Sequence, residues 1–101
     1  MNQQPHFTAL LHFVSEKDGG RSTPSSSGYR ALVKFGLAHK EIIGIFTFPD
    51  DELVFPGDSV SAEITLSDIE PIQSKLYEGL DFELFENETL VGTGVVKKLL
   101  Q

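Results

Sequence analysis

A chain of 101 residues with 15 acidic and 8 basic side chains, and hence a net charge of −7, can build one modest core and no second one. Its 40% apolar content and eight phenylalanines place it among globular chains. The lack of cysteine excludes disulfides, thiolate metal sites and thiol nucleophiles, and no apolar run approaches the ~18 residues a membrane helix needs.

The N-terminus carries neither the basic region nor the small-residue cleavage site of a secretory signal, so a soluble, cytoplasmic protein is expected. Charge is unevenly placed. Residues 1–40 hold five Lys/Arg against two Asp/Glu, and residues 41–101 hold three against thirteen. Such an acidic surface repels phosphate and speaks against nonspecific nucleic-acid binding. It serves either as a solvated face or as a complement to a basic partner.

His6 to Val14 alternates, with Phe7, Ala9, Leu11 and Phe13 on one side, and this period of two predicts a strand. The other side is half apolar, so both faces are expected to be partly covered. Residues 15–28 follow as a long loop. The Gly19-Gly20 pair permits a sharp reversal, and Pro24 holds Thr23 extended and bars a helix through the middle. The Ser25-Ser26-Ser27 run is expected to pack against nothing. Arg21 and Arg30 stand near the two ends of this loop, either as anion ligands or as ties to carbonyls and acids such as Asp18.

Tyr29 to Leu37 is a second predicted strand, Ala38 to Glu41 a polar turn, and Ile42 to Phe48 a third strand dense in β-branched and aromatic residues. Pro49-Asp50-Asp51-Glu52 stops it. Leu53 to Phe55 is a short apolar step before the Pro56-Gly57-Asp58 turn. Ser59 to Leu66 alternates with Val60, Ala62, Ile64 and Leu66 inward.

Residues 67–75 read as a connection. The best helical stretch, Ile72 to Glu78, is at most two turns long. Leu80, Phe82 and Leu84 alternate with Asp81 and Glu83, and Glu86-Asn87-Glu88 is a hairpin turn with both glutamates expected at an exposed tip. Leu90 to Leu100 closes the chain, thinned at Gly92 and Gly94 where a backbone or bulky side chain should come close. Six short strands with regular turns predict an all-β barrel or sandwich, with the phenylalanines inside.

Gly19-Gly20-Arg21-Ser22-Thr23-Pro24, Gly28-Tyr29-Arg30, Pro56-Gly57-Asp58, Glu78-Gly79-Leu80-Asp81-Phe82 and Val91-Gly92-Thr93-Gly94-Val95-Val96 occur in that order. Together they resemble the third, C-terminal domain of bacterial elongation factor Tu, from about Phe7 to Leu100. The resemblance implies a closed six-stranded antiparallel Greek-key barrel occupying residues 1–101 as a single domain, with an ordered core of about 6–100. In that family the barrel packs on a GTPase domain and a second barrel, touches the T stem of aminoacyl-tRNA and binds the nucleotide-exchange factor. No G-x-x-x-x-G-K-[ST] loop is present here, so the chain has no means to cradle a nucleotide phosphate and resembles the third domain alone.

The family's tRNA-contacting positions are mostly altered. The arginine of its Gly-Gly-Arg motif is kept as Arg21. The contacting glutamine falls at Leu32, with Ala31 in place of the preceding proline, and a family threonine falls at Ile43. The Arg-Glu-Gly-Gly turn reads Phe85-Glu86-Asn87-Glu88, which keeps only the glutamate. The arginine of Gly-Leu-Arg-Phe is Asp81, and paired phenylalanines after Thr-Pro are Ser25 and Ser26. Since a charge-assisted hydrogen bond contributes ~1.5–3 kcal/mol, several such losses weaken tRNA binding by orders of magnitude.

The expectation is a non-catalytic, translation-related binding module that needs no cofactor and takes a protein partner, such as a factor that recognises the elongation factor's own barrel. Its expected surface comprises Arg21, Thr23, Tyr29, Arg30, Glu86 and Asn87. One alternative is an RNA-binding accessory gripping a tRNA arm through Arg21, Arg30 and Lys34. Another is a small-ligand site in the barrel mouth. The faces that the family buries against other domains are expected to be apolar, which favours a weak homodimer. His6, His12 and His39 are too scattered for a metal site, and Ser25 to Ser27 lack the setting of a nucleophile.

Overall fold

The structure is a computed structural model that describes residues 4–36 and 41–100. Six strands form in chain order: β1 (Phe7–Phe13), β2 (Tyr29–Phe35), β3 (Glu41–Thr47), β4 (Ser59–Leu66), β5 (Asp81–Glu86) and β6 (Thr89–Leu99). They close into a barrel in the order β1-β4-β3-β2-β5-β6, with every neighbouring pair antiparallel. β2, β3 and β4 are a meander, and β5 returns to lie beside β2. That is the Greek-key arrangement expected for the chain. The polar turn expected at Ala38 to Glu41 falls largely outside the described residues, and Glu41 itself opens β3.

Alternation decides which side chains fill the interior. Phe7, Ala9, Leu11 and Phe13 of β1 are buried, as are Val60, Ala62, Ile64 and Leu66 of β4 and Phe82 and Leu84 of β5. On the outer side of β1 the expected cover is only partial, for Leu10 is 43% exposed. β6 carries two extra residues: Val91, between the pairs Leu84–Gly92 and Phe85–Leu90, and Lys97, between Ala9–Val96 and Thr8–Lys98. Such bulges bend and twist a strand, which lets six strands close. Gly92 and Gly94 thin β6 as expected, with the His12 carbonyl and Leu84 over the first and the Phe82 ring over the second.

Aromatic rings plug both ends of the barrel. Phe7, Phe35 and Phe82 meet in a triangle with centroids 5.5–6.4 Å apart. At the other end Phe13 meets Tyr29 and Phe48, and Tyr29 meets Phe46, with centroids 5.7–6.2 Å apart. Two phenylalanines depart from the expected core. Phe55 is 50% exposed because it opens the Pro56-Gly57-Asp58 turn rather than sitting in a strand. Phe85 follows inward-facing Leu84 and therefore points out.

Two connections differ from expectation. A single 3-10 turn, Glu16–Asp18, precedes the glycine pair and closes on Gly19 at φ +98°. The one helical turn between β4 and β5 is α1 (Glu70–Gln73), earlier and shorter than the predicted Ile72 to Glu78. Pro71 accounts for the shift, since proline fits the first turn of a helix, where its missing N–H is not needed. Ile72, fully buried, anchors that turn.

Candidate functional site

β1 ends, β2 begins, β5 ends and β6 begins at one rim of the barrel, and the 15–28 loop crosses that rim. One of its serines does pack, contrary to expectation, while Ser26 and Ser27 stay exposed. Ser25 is buried, and its N–H and carbonyl exchange 2.8 Å hydrogen bonds with Val54, joining the loop to the 48–58 connection. The Ser27 hydroxyl accepts the Phe48 N–H at 2.9 Å. Three unmade backbone bonds would be costly at a buried rim, so a short polar residue suits this run better than sequence pattern suggests.

Arg21 is the centre of the loop. Its Nη1 donates to Ser25 Oγ at 2.9 Å and pairs with Glu86 Oε2 at 3.0 Å, while Nη2 donates to Thr23 Oγ1 at 3.1 Å. The guanidinium lies 4.8 Å from the centroid of the Tyr29 ring. The Tyr29 hydroxyl donates to the same Glu86 Oε2 at 2.5 Å. One carboxylate oxygen thus ties the loop, β2 and β5 together. Among the described residues, no buried side-chain N or O lacks a partner.

Five of the six residues expected to form a binding surface, Arg21, Thr23, Tyr29, Glu86 and Asn87, come together here, but their arrangement is that of a clamp. Arg21 has an exposure of 21% for its side chain and spends its donors on the protein itself, and its acidic partner is Glu86 rather than Asp18, which instead accepts from Ser15. Glu86 is not at an exposed tip, whereas Glu88 is exposed. Asn87 adopts φ +56° in the hairpin turn, a left-handed conformation that asparagine tolerates. With Gly20, Thr23 and Thr89 it borders an open polar cleft of about 350 Å³ beside the clamp. Arg30 stands apart, exposed on the outside of β2.

Burial, and then the hydrogen bond to Glu86, push the Tyr29 hydroxyl well above its ordinary pKa of 10.0. In the unfolded chain the phenol ionises from about pH 10, while the folded chain holds the proton. The stability it contributes is therefore present below pH 10 and is lost as pH rises through the raised value. Urea midpoints are expected to fall more steeply above pH 10 for the natural protein than for Tyr29→Phe. Equal slopes would remove the clamp's effect on this proton.

A second feature lies on the outside of the same strands. Ile43 pairs with Leu32, Leu32 with Phe85, and Phe85 with Leu90, so four large apolar side chains stand in one row across β3, β2, β5 and β6. Ile43 is 44% and Leu90 36% exposed, and Leu32 and Phe85 are half-buried between them. Below runs a charged row, Glu41–Lys34–Glu83, with Lys34 Nζ 5.2 Å from the Phe85 ring. Leu32 and Ile43 have the outward parity of Arg30, Lys34 and Glu41, which the sequence exposes. The Val91 bulge hides the other half of the row, because an unbroken register would set Phe85 opposite Val91 rather than Leu90.

Among the described residues, no three His, Asp or Glu side chains gather as a metal site, and no helix is long and apolar enough to cross a membrane. No family model matches the sequence.

Proposed function

We propose that this barrel is a non-catalytic module, similar to the third domain of elongation factor Tu, that binds another protein of the translation apparatus through the outer face of β3, β2, β5 and β6. The observation that carries this reading is the row Ile43–Leu32–Phe85–Leu90. Contiguous apolar rows on a sheet surface favour protein contacts over water. Ile43 and Leu32, the first two residues of the row, occupy the positions where the resemblance places a tRNA-contacting threonine and glutamine, so the face that would meet RNA carries aliphatic groups instead.

The clamp supports the same reading, because Arg21 is engaged by Glu86, Ser25 and Thr23 and has little left for a phosphate. The partner should present an apolar ridge bordered by Lys or Arg, complementary to Glu41, Glu83 and the net charge of −7. A second copy would bring the same negative charge against itself.

The test is the double substitution Leu32→Gln with Ile43→Thr, which exchanges aliphatic for polar groups at half-exposed positions and should leave thermal stability within a few degrees. Apolar hot spots contribute about 2 kcal/mol each, so a basic protein captured from cytosol under RNase should bind the variant at least ~100-fold more weakly. Three outcomes would overturn the reading. They are an unchanged capture, tRNA binding at physiological salt that Arg21→Glu abolishes, and a sedimenting homodimer that the double substitution dissolves.

A further inference from the structure

The opposite end of the barrel holds a second site. His6, just before β1, Ile69 and Gln73 at α1, Leu76 after it, and Leu99 near the end of β6 line a cavity of about 200 Å³. Ile69, Leu76 and Leu99 pack on the core beneath it and supply apolar walls. His6 is fixed there by its backbone, whose N–H donates to Ile64 at 2.9 Å and whose carbonyl accepts from Leu100 at 3.0 Å.

The chemistry of the imidazole follows from one hydrogen bond. Nδ1 accepts the Leu66 N–H at 3.0 Å. A nitrogen that accepts carries no proton, so the neutral ring must hold its proton on Nε2. Burial keeps the pKa below the ordinary 6.5, which leaves the ring neutral at pH 7. Among the described residues nothing accepts from Nε2, and no buried nitrogen lacks a partner, so this N–H is open to an incoming group.

We propose that this cavity binds a small neutral aromatic molecule bearing one carbonyl-type acceptor, with its ring against Ile69, Leu76 and Leu99 and its oxygen accepting the His6 Nε2–H. Apolar cavities of about 150 Å³ take up benzene, so 200 Å³ accommodates a benzene ring with a carbonyl substituent. An anion is disfavoured because the donor is an uncharged imidazole and a desolvated carboxylate needs a cation. This site is independent of the protein-binding face, since His6, the β4–β5 connection and the C-terminal end of β6 form it and no residue of the apolar row lines it.

Acetophenone and its isostere α-methylstyrene, which has no acceptor, are the probes. Titration of the full chain followed by amide and imidazole nitrogen resonances should show both perturbing Ile69, Leu76 and Leu99. Acetophenone should bind about five-fold tighter, as one hydrogen bond contributes about that factor. His6→Asn keeps an acceptor for the Leu66 N–H but has no donor at the Nε2 position, and should abolish the preference. Leu76→Trp should fill the cavity and block both probes, with Gln73→Trp in its place if Leu76→Trp does not fold. Equal affinities for the two probes, or perturbations elsewhere on the barrel, would overturn the proposal.

Discussion

Gly20→Ala is expected to destabilise the barrel by about 3 kcal/mol, roughly 12–24 °C in melting temperature for a domain of this size. A Cβ on Gly20 would stand 2.0 Å from the Val14 carbonyl oxygen, 2.7 Å from its carbon and 3.0 Å from the Ser15 oxygen. All three are backbone atoms. Val14 is held by its N–H to Val91 at 2.9 Å, and the Gly20 N–H itself donates to Ser15 at 2.8 Å. Relief therefore has to come from displacing the loop, and Arg21, the next residue, would leave Glu86 with it.

The neighbouring glycine supplies the control. Gly19 has φ +98° but open space around its Cα, so Gly19→Ala should cost only the ~1–2 kcal/mol of a left-handed L-residue. Thermal unfolding of the two variants distinguishes a steric wall from a conformational preference. Equal losses would mean that the rim yields and the clamp is not rigidly seated. If the clamp is lost in Gly20→Ala, the alkaline fall in stability should also flatten toward that of Tyr29→Phe.

Phe82→Ala is expected to cost about 3–5 kcal/mol, the range for deleting a buried ring. Phe82 touches Phe7 and Phe35 with ring centroids 5.9 and 5.5 Å away. Its ring also fills the space over Gly94, where a Cβ would lie 2.4 Å from Phe82 Cζ and 2.8 Å from Leu11 Cδ2. Gly94→Ala alone should therefore be costly, while in a Phe82→Leu background the added methyl enters vacated volume. The double variant is expected to be at least 1 kcal/mol more stable than the sum of the single losses predicts. Chemical denaturation of the four proteins measures that coupling. Strict additivity would show that β6 moves away from β5 instead.

Much of the barrel was legible because its strands alternate without interruption. Ser59 to Leu66 states its inward face in four consecutive even positions, and the strand, its bounds and its buried set are all as expected. The same alternation exposes Leu32 and Ile43. Four features were not legible, one because of a strand bulge and three because their partners are distant in sequence. The Val91 bulge offsets β6 against β5, so no constant period brings Leu90 beside Phe85.

Ser25 is small and polar, and its burial depends on a bridge to Val54, 29 residues away in sequence. Glu86 looked like a hairpin-tip carboxylate because its partners, Arg21 and Tyr29, lie 65 and 57 residues earlier and meet it only through closure. His6 carried no motif. Its tautomer is set by a backbone donor 60 residues on.

Closure has a final consequence for how anything can be recognised. Every described strand has neighbours on both sides, so no row of main-chain donors and acceptors is left to template an added strand. A visiting polypeptide must be read by side chains alone. Such contacts are altered one residue at a time, whereas main-chain pairing tolerates almost any sequence. Attachments to this surface should thus be selective, and easily retargeted by single substitutions.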